Sequence, residues 1–148
     1  MGRNMFGPVR GPWGDITWRG WWGEEPPFHH PVFVLTHYPR SSIAMRGGTT
    51  FHFVTDGADA ALDRAFDAAA GEDVRLGGGV QTIQQYLRAR LLDEMHLAVV
   101  PVLLGRGERL FDDLDGGPTG YDCVGFESSS AALHVRLSRT ETSSGTPD

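Results

Sequence analysis

The sequence predicts an α/β fold that ends in an antiparallel hairpin. Apolar runs typical of buried strands lie at residues 31–36 and 50–55, and segments with helical periodicity follow the second run. Two segments near the end of the chain, 121–126 and 132–139, alternate between apolar and polar residues. Strands that alternate with helices favour parallel pairing, and a terminal run of strands favours antiparallel pairing. We therefore expect a mixed, mainly parallel sheet that is flanked by helices.

Composition narrows the class of protein. The 148 residues suit one domain, and 40% hydrophobic with 22% charged residues is ordinary for a soluble globular protein. The net charge of −6 argues against a nucleic-acid partner. No apolar run approaches the roughly 18 residues of a membrane span, and no signal peptide opens the chain. We predict a cytoplasmic domain over residues 1–139, followed by a polar, disordered tail over residues 140–148.

Residues 7–31 form a loop rich in glycine, proline and tryptophan, here called the tryptophan loop. Prolines and glycines at this density exclude long regular elements. The loop carries every tryptophan of the chain: Trp13, Trp18, Trp21 and Trp22. Each indole buries a large apolar area, so these rings should pack against the core of the chain, a partner subunit or a flat ligand.

The first helical segment follows the two apolar runs. The run at 31–36 is continuous, as in a strand buried on both faces, and the run at 50–55 predicts a second strand. Asp56 is suited to cap the next helix, and Gly71 to end it. The predicted core face of this helix comprises Ala61, Leu62, Ala65, Phe66 and Ala69.

A strand, a glycine turn and a second helix come next. Val74 and Leu76 end a short predicted strand, and three consecutive glycines follow, Gly77, Gly78 and Gly79. The helix then presents one apolar stripe: Val80, Ile83, Leu87 and Leu91. A helix start attracts a phosphate, but the same glycines also suit a tight packing turn, and this stretch alone favours neither. The spacing is not the dinucleotide fingerprint G-x-G-x-x-G.

The last third of the chain predicts three strands. Residues 93–102 alternate, with Met95, Leu97 and Val99 on one face, and pairing should weaken at Pro101, which lacks an N–H. In the hairpin, the inward residues are Leu133, Val135 and Leu137. Cys123, the only cysteine, lies within a predicted strand and is expected to be packed.

Few residue patterns point to chemistry by themselves. The six histidines show no metal-ligand spacing, so no metal site is predicted. Glu94 and His96 fall on one strand face and Asp93 on the other, which favours capping and salt-bridge roles. The arginines nearest to glycine-rich turns are by default surface charges, although one or two could reach a phosphate: Arg3, Arg40, Arg106 and Arg109.

A combination of motifs resembles a known family. It consists of the glycine turn after Leu76, the pair Asp93-Glu94, a P-x-x-L-G-x-G segment at 101–107, and the pair Leu110-Phe111. Together they resemble the dihydrofolate reductase-like superfamily over residues 1–139. The nearest relatives within it look like the reductase domain of riboflavin-biosynthesis deaminase–reductases and its stand-alone bacterial homologues. The resemblance implies NADPH-dependent hydride transfer to a pterin-like, pyrimidine-like or other small heterocyclic substrate, by a homodimer.

The resemblance also assigns cofactor-binding residues. The family's G-R-x-T segment is matched by Gly2, Arg3 and Asn4, but Met5 replaces the threonine. The family's Ser/Thr-Arg pair for the 2′-phosphate becomes Thr36-His37 here, with Arg40 three residues on, so NADH is an alternative cofactor. The pyrophosphate-binding helix start corresponds to the glycine turn and the residues after it: Gly77, Gly78, Gly79, Val80, Gln81 and Thr82.

The front of the chain departs from the family pattern. Family members have a strand, a substrate loop and a helix before the G-R motif, whereas Met1 directly precedes Gly2 here. No catalytic residue can therefore be assigned. A start codon placed too late would explain this, and so would a genuine short form that borrows strands from a partner; we expect the first. The rival functions are a non-catalytic nucleotide-binding or structural domain and a flavin-binding protein, since a glycine helix start accepts any phosphate.

Overall fold

The computed structural model describes residues 1–14, 17–112, 114 and 120–140. They divide into two compact units, Met1–Ile83 and Gln84–Asp148. Of the predicted tail at 140–148, all but Thr140 lies outside the described residues. That the whole of 1–139 acts as one domain stays a prediction.

The first unit is a three-stranded sheet with helices. Its elements in chain order are helix α1 (Arg3–Phe6), strands β1 (Pro31–Leu35) and β2 (Ile43–Ala44), a 3₁₀ turn (Arg46–Gly48), strand β3 (Thr50–Val54), helix α2 (Ala58–Ala69) and the start of helix α3 (Val80–Arg88). The strand order is β1-β3-β2. Strand β3 pairs in parallel with β1 and antiparallel with β2. The two predicted strands are confirmed to within one residue, whereas β2 is too short to give a periodic signal.

The core of this unit is aromatic. Phe6 of α1 is fully buried and makes edge-to-face contacts with Trp13, Phe51 and Phe53, with ring centroids 6.0, 5.1 and 5.0 Å away. Trp22 stacks on Phe51, and the indole N–H of Trp18 donates to the carbonyl of Phe6. Packing against the chain's own core is thus confirmed for Trp13, Trp18 and Trp22. Trp21 is half-exposed and meets the ring of Trp18 edge-on.

Helix α2 begins and ends differently from the prediction. Gly57 occupies the N-cap position, so Asp56 lies one residue too early to cap the helix and instead accepts a bond from Arg64 at 2.7 Å. The helix ends at Ala69, and Ala70, with φ of 51°, makes the left-handed turn immediately before Gly71. The predicted core position Phe66 is 51% exposed, which corrects that assignment.

The strand predicted at residues 74–76 is not formed. The segment between α2 and α3 is irregular. A strand needs a neighbour for its backbone N–H and C=O groups, and no described strand pairs with this segment. Helix α3 does begin directly after the glycines, but it ends at Arg88, so Leu91 lies beyond it.

The second unit is an antiparallel sheet. It contains β4 (Glu94–Val99), β5 (Tyr121–Ser128) and β6 (Leu133–Arg139), in the order β4-β6-β5. The terminal hairpin is confirmed, with a register irregularity between Cys123 and Gly125. Strand β4 ends before Pro101, as expected because proline has no N–H to donate to a neighbouring strand. Of the pairs among described strands, only β1–β3 is parallel, so a mainly parallel sheet is not found.

Several apolar residues of the second unit are exposed. Met95 is buried, but Val99 is 53% and Leu133 is 40% exposed, against the prediction for their strand faces. Cys123 is also exposed rather than packed. The alternation of apolar and polar residues predicted the strands correctly. Several of their apolar side chains nevertheless remain uncovered by the described residues of this unit. No helix in the described ranges is both long and apolar enough to cross a bilayer.

Candidate functional site

Segments that are distant in sequence meet at Gly2. The N–H of Gly2 donates to the carbonyl of Gly78 at 2.8 Å. Beside it, Leu35 at the end of β1 donates to the carbonyl of Met1 at 2.9 Å, and Gly2 forms a parallel bridge with Leu35. The structure thus brings together the predicted G-R segment, the carboxyl end of β1 and the glycine turn.

The contact at Gly2 leaves no room for a side chain. A Cβ atom there would overlap the hydroxyl oxygen of Thr82, which lies buried in the first turn of α3. Glycine is required here because it lets the backbone approach the helix closely. The backbone of Gly2 therefore packs tightly against the start of α3, whereas a Cβ at Gly77 or Gly78 would make only ordinary van der Waals contacts.

The other side of the turn is open. Gly78 is buried with φ of +90°, a conformation that favours glycine. A Cβ at Gly79 would meet no described heavy atom within 4 Å, and the carbonyl of Gly79 accepts the N–H of Ile83 as α3 begins. The Gly78–Gly79 peptide bond is cis. A ligand could therefore approach Gly79 at the positive end of α3, where first-turn N–H groups lack helical partners.

Arg3 supplies a cation beside these segments. Its guanidinium carbon lies 3.8 Å from the ring centroid of Trp13 and 5.2 Å from that of Tyr38. The Nε and Nη2 atoms are buried, and no hydrogen-bond partner for them is found among the described residues. Burial lowers the pKa of Arg3, the charge of Tyr38 opposes this shift, and Arg10 adds to it. Because buried donors without partners are costly, this guanidinium fits an incoming anion.

Arg40 has a different environment. Its guanidinium carbon lies 4.9 Å from the ring centroid of Trp13 and 5.2 Å from that of Phe53. Its Nη2 atom donates to the carbonyl of Trp18 at 2.6 Å. The side chain thus holds the tryptophan loop against the aromatic core by cation–π contact. A phosphate contact by Arg40 stays a prediction.

The remaining predicted residues surround this junction. The Thr36 hydroxyl accepts the N–H of Tyr38 at 3.2 Å and closes the turn after β1. Val80 is half-buried, and the exposed residues are Asn4, His37, Gly77 and Gln81. Sequence reasoning did not predict that Trp13 and Tyr38 would flank Arg3. The concentration of indoles in a loop near the G-R segment was the available signal.

Other candidates have structural roles. Asp93 accepts from Arg139 at 2.6 Å, which confirms the predicted salt-bridge role. Arg109 lies 4.0 Å from Asp112 on the surface. In the part of the chain that the structure describes, no group of three or more His, Cys, Asp or Glu residues is arranged to hold a metal.

Comparison with known proteins identifies the family. The sequence matches the RibD C-terminal domain over residues 1–142. The fold is similar to that of a protein from Shewanella sp. PV-4 provisionally assigned to riboflavin biosynthesis, with a TM-score of 0.57 and 24% identity. The similarity covers 78% of this chain but 63% of that chain, and at this identity it supports the fold alone. No curated protein matches the sequence significantly. Because the family match spans nearly the whole sequence, the chain belongs to the RibD C-terminal domain family.

Proposed function

We propose that this protein is a pyridine-nucleotide-dependent reductase of the riboflavin-biosynthesis type. Its cofactor would be NADPH, with NADH as the alternative, and its substrate a pterin-like, pyrimidine-like or other small heterocycle. Family membership supports the reaction class. The observation that carries the proposal is the buried edge of the Arg3 guanidinium, for which no partner is found among the described residues. Arg3 directly follows Gly2, whose N–H donates to the carbonyl of Gly78 in the glycine turn.

The residues present fit a phosphate-bearing cofactor. The open face of Gly79 and the first N–H groups of α3 suit a pyrophosphate. Arg3 offers two buried donors in a fixed fork, which matches the geometry of phosphate oxygens. Thr36 and His37 directly follow β1, whose end lies beside Gly2. They would contact the part of the cofactor that is farther from the pyrophosphate. When bound, the cofactor supplies the hydride, and the protein supplies position and charge.

The glycine turn offers a matched pair of variants. Gly79→Ala adds a methyl group to open space, whereas Gly79→Asp adds a negative charge at the same place. We expect Gly79→Ala to keep NADPH binding within about threefold and Gly79→Asp to weaken it at least about tenfold, because like charges repel where water is partly excluded. Titration calorimetry with the full chain measures both. Equal binding by the two variants would contradict an anion site at this turn.

Arg3 has its own test. Arg3→Lys keeps the charge but removes the planar fork, so we expect NADPH affinity to fall roughly tenfold or more. Arg46→Lys is the matched control, because Arg46 lies on the surface and pairs with Glu24 at 3.0 Å. Circular dichroism must show that both variants are folded. Equal affinity of both would remove the support that Arg3 gives to the proposal.

A turnover assay distinguishes a reductase from a non-catalytic nucleotide-binding domain. Loss of NADPH absorbance with a panel of pterins and pyrimidines would support the enzyme. Tight binding of NADPH without oxidation of the cofactor by any of them would favour a nucleotide-binding domain instead.

We also propose that the chain forms a homodimer. Exposed apolar side chains in the second unit support this, among them Val102, Leu103 and Leu104, which are 64% or more exposed. Light scattering after size-exclusion chromatography should give twice the monomer mass of 16.2 kDa. Leu103→Glu would then shift the protein towards monomer, and a monomeric wild type would contradict the proposal.

A further inference from the structure

One pair of histidines in the second unit has no role in the proposed reductase. His96 lies on β4 and His134 on β6, and the Nε2 of His96 is 3.0 Å from the Nδ1 of His134. Their rings stack with centroids 5.2 Å apart and planes inclined by 28°. The two side chains share one sheet face because His134 pairs with Ala98 and His96 pairs with Arg136, which places the histidines diagonally.

We propose that His96 and His134 form a binding site for a divalent transition metal, with Cu²⁺ or Ni²⁺ as the best fit. Imidazole nitrogens bind these ions at about 2.0 Å, so two ligands 3.0 Å apart enclose an angle near 100° at the metal. Tetragonal ions require angles of about 90°, and a tetrahedral ion would need the nitrogens to move roughly 0.3 Å apart. Imidazole is a poor ligand for Ca²⁺ and Mg²⁺, which prefer oxygen.

The sheet holds the two ligands in advance of binding. The ladder between β4 and β6 is regular from Glu94 to Val99, so the backbone under both histidines is fixed by hydrogen bonds. A chelate on such a frame loses little conformational entropy when the ion binds. The metal would link edge strand β4 to central strand β6.

The surroundings leave space for water and balance the charge. The histidines line an open concavity of about 340 Å³ together with Glu127, Arg136 and Phe126. Water would complete the coordination, because only two described protein ligands meet here. Glu127 pairs directly with His134 and attracts a cation, whereas Arg136 pairs with His96 and repels it. The two charges therefore predict opposite effects on affinity.

Titration calorimetry of the full chain with Cu²⁺ or Ni²⁺ alone, in a non-chelating buffer, tests the site. We expect a site of one ion per chain whose affinity falls on the order of a hundredfold in His96→Gln and in His134→Gln, because each variant loses the chelate. His30→Gln is the matched control: His30 is exposed in the first unit and contacts the carbonyl of Pro31. Arg136→Gln should raise the affinity several-fold, and Glu127→Gln should lower it.

A spectroscopic measurement on the wild type makes the test independent of the folding of the variants. Electron paramagnetic resonance of the one-to-one Cu²⁺ complex should show coupling to two imidazole nitrogens. Coupling to none or one, no saturable binding to the folded chain, or binding that both histidine variants retain would each overturn the proposal. None of these outcomes bears on NADPH binding, since the proposed cofactor residues lie in the first unit.

Discussion

The two units of this chain differ in how far their apolar side chains are buried. In the first, Phe6, Val34, Phe51 and Val54 are fully buried, and the tryptophan loop packs against the core although almost none of its described residues lies in a helix or strand. In the second, an antiparallel sheet leaves Val124 and Phe126 61% and 74% exposed. Regular secondary structure can therefore form without a closed hydrophobic core. Backbone pairing satisfies N–H and C=O groups, but it does not itself remove apolar area from water.

The difference predicts unequal stability. Burial stabilises by roughly 25 cal/mol per Å² of apolar surface, so the first unit should gain more from its own residues than the second. All four tryptophans lie in the first unit, so tryptophan fluorescence reports on that unit alone. We expect the fluorescence transition in urea to follow, not precede, the loss of far-ultraviolet circular dichroism from the second sheet. Coincident transitions would instead show that the units unfold as one.

The largest expected effect comes from deleting the central ring of the aromatic core. Phe6→Ala should lower the free energy of unfolding by about 3–5 kcal/mol, because a cavity remains between Trp13, Phe51 and Phe53. The matched variant Phe126→Ala removes the same ring from an exposed site and should cost less than about 1 kcal/mol. Urea denaturation measures both. Similar losses would mean that Phe126 is covered in solution, for example by a second copy.

A smaller effect is expected where backbone and helix touch in the first unit. Gly2→Ala forces a methyl group against the hydroxyl of Thr82 and should cost about 1–3 kcal/mol. Thr82→Ala removes that hydroxyl, so the double variant Gly2→Ala/Thr82→Ala should recover part of the loss. A double-mutant cycle in urea measures the coupling. Strict additivity would show that Gly2 and Thr82 are not in contact.

The second unit contains a comparable polar contact. The Tyr121 hydroxyl donates to the carbonyl of Leu92 at 2.7 Å, so Tyr121→Phe should cost about 1 kcal/mol. Burial raises the pKa of this hydroxyl, Arg139 and Arg90 oppose the rise, and Asp93 adds to it.

The raised pKa also predicts the direction of a pH effect. Below the ordinary value near 10, both folded and unfolded states keep the phenolic proton, and Tyr121 contributes no pH dependence. Above it, the unfolded state loses its proton first, so stability falls as the pH rises through the folded pKa. Denaturation with increasing alkaline pH should show a steeper decline for the wild type than for Tyr121→Phe. Parallel curves would contradict the shift.

The smallest effect is expected at the surface of the same unit. The pair between Asp93 and Arg139 is short at 2.6 Å, but the two side chains are 72% and 41% exposed. Solvent screens such a pair, so Asp93→Asn should cost about 0.5 kcal/mol or less, and the loss should shrink further in high salt. A loss above about 2 kcal/mol would mean that the pair is buried in the assembled protein.

Local patterns were enough for much of this chain. Continuous apolar runs specified β1 and β3, alternation specified the hairpin β5–β6, and the glycines specified where α3 begins. The same patterns gave wrong predictions where the outcome depends on a neighbouring strand or on packing against another segment. Residues 74–76 have the composition of a strand but no described strand beside them, and Phe66 and Leu133 have the periodicity of core positions but are exposed.

The candidate site divides along the same line. The resemblance predicted the glycines and Arg3 as cofactor-binding residues, because each lies in a motif of a few adjacent residues that sets the local backbone geometry. They did not show that Trp13 and Tyr38 flank the Arg3 guanidinium, or that Arg40 points into the aromatic core, since those contacts join residues 10 to 35 positions apart. The sequence by itself determined where most strands and the two longer helices lie, and which family the motifs resemble. Only the tertiary structure decided which side chains are buried and which buried donors lack a partner, because both depend on what another part of the chain places beside them.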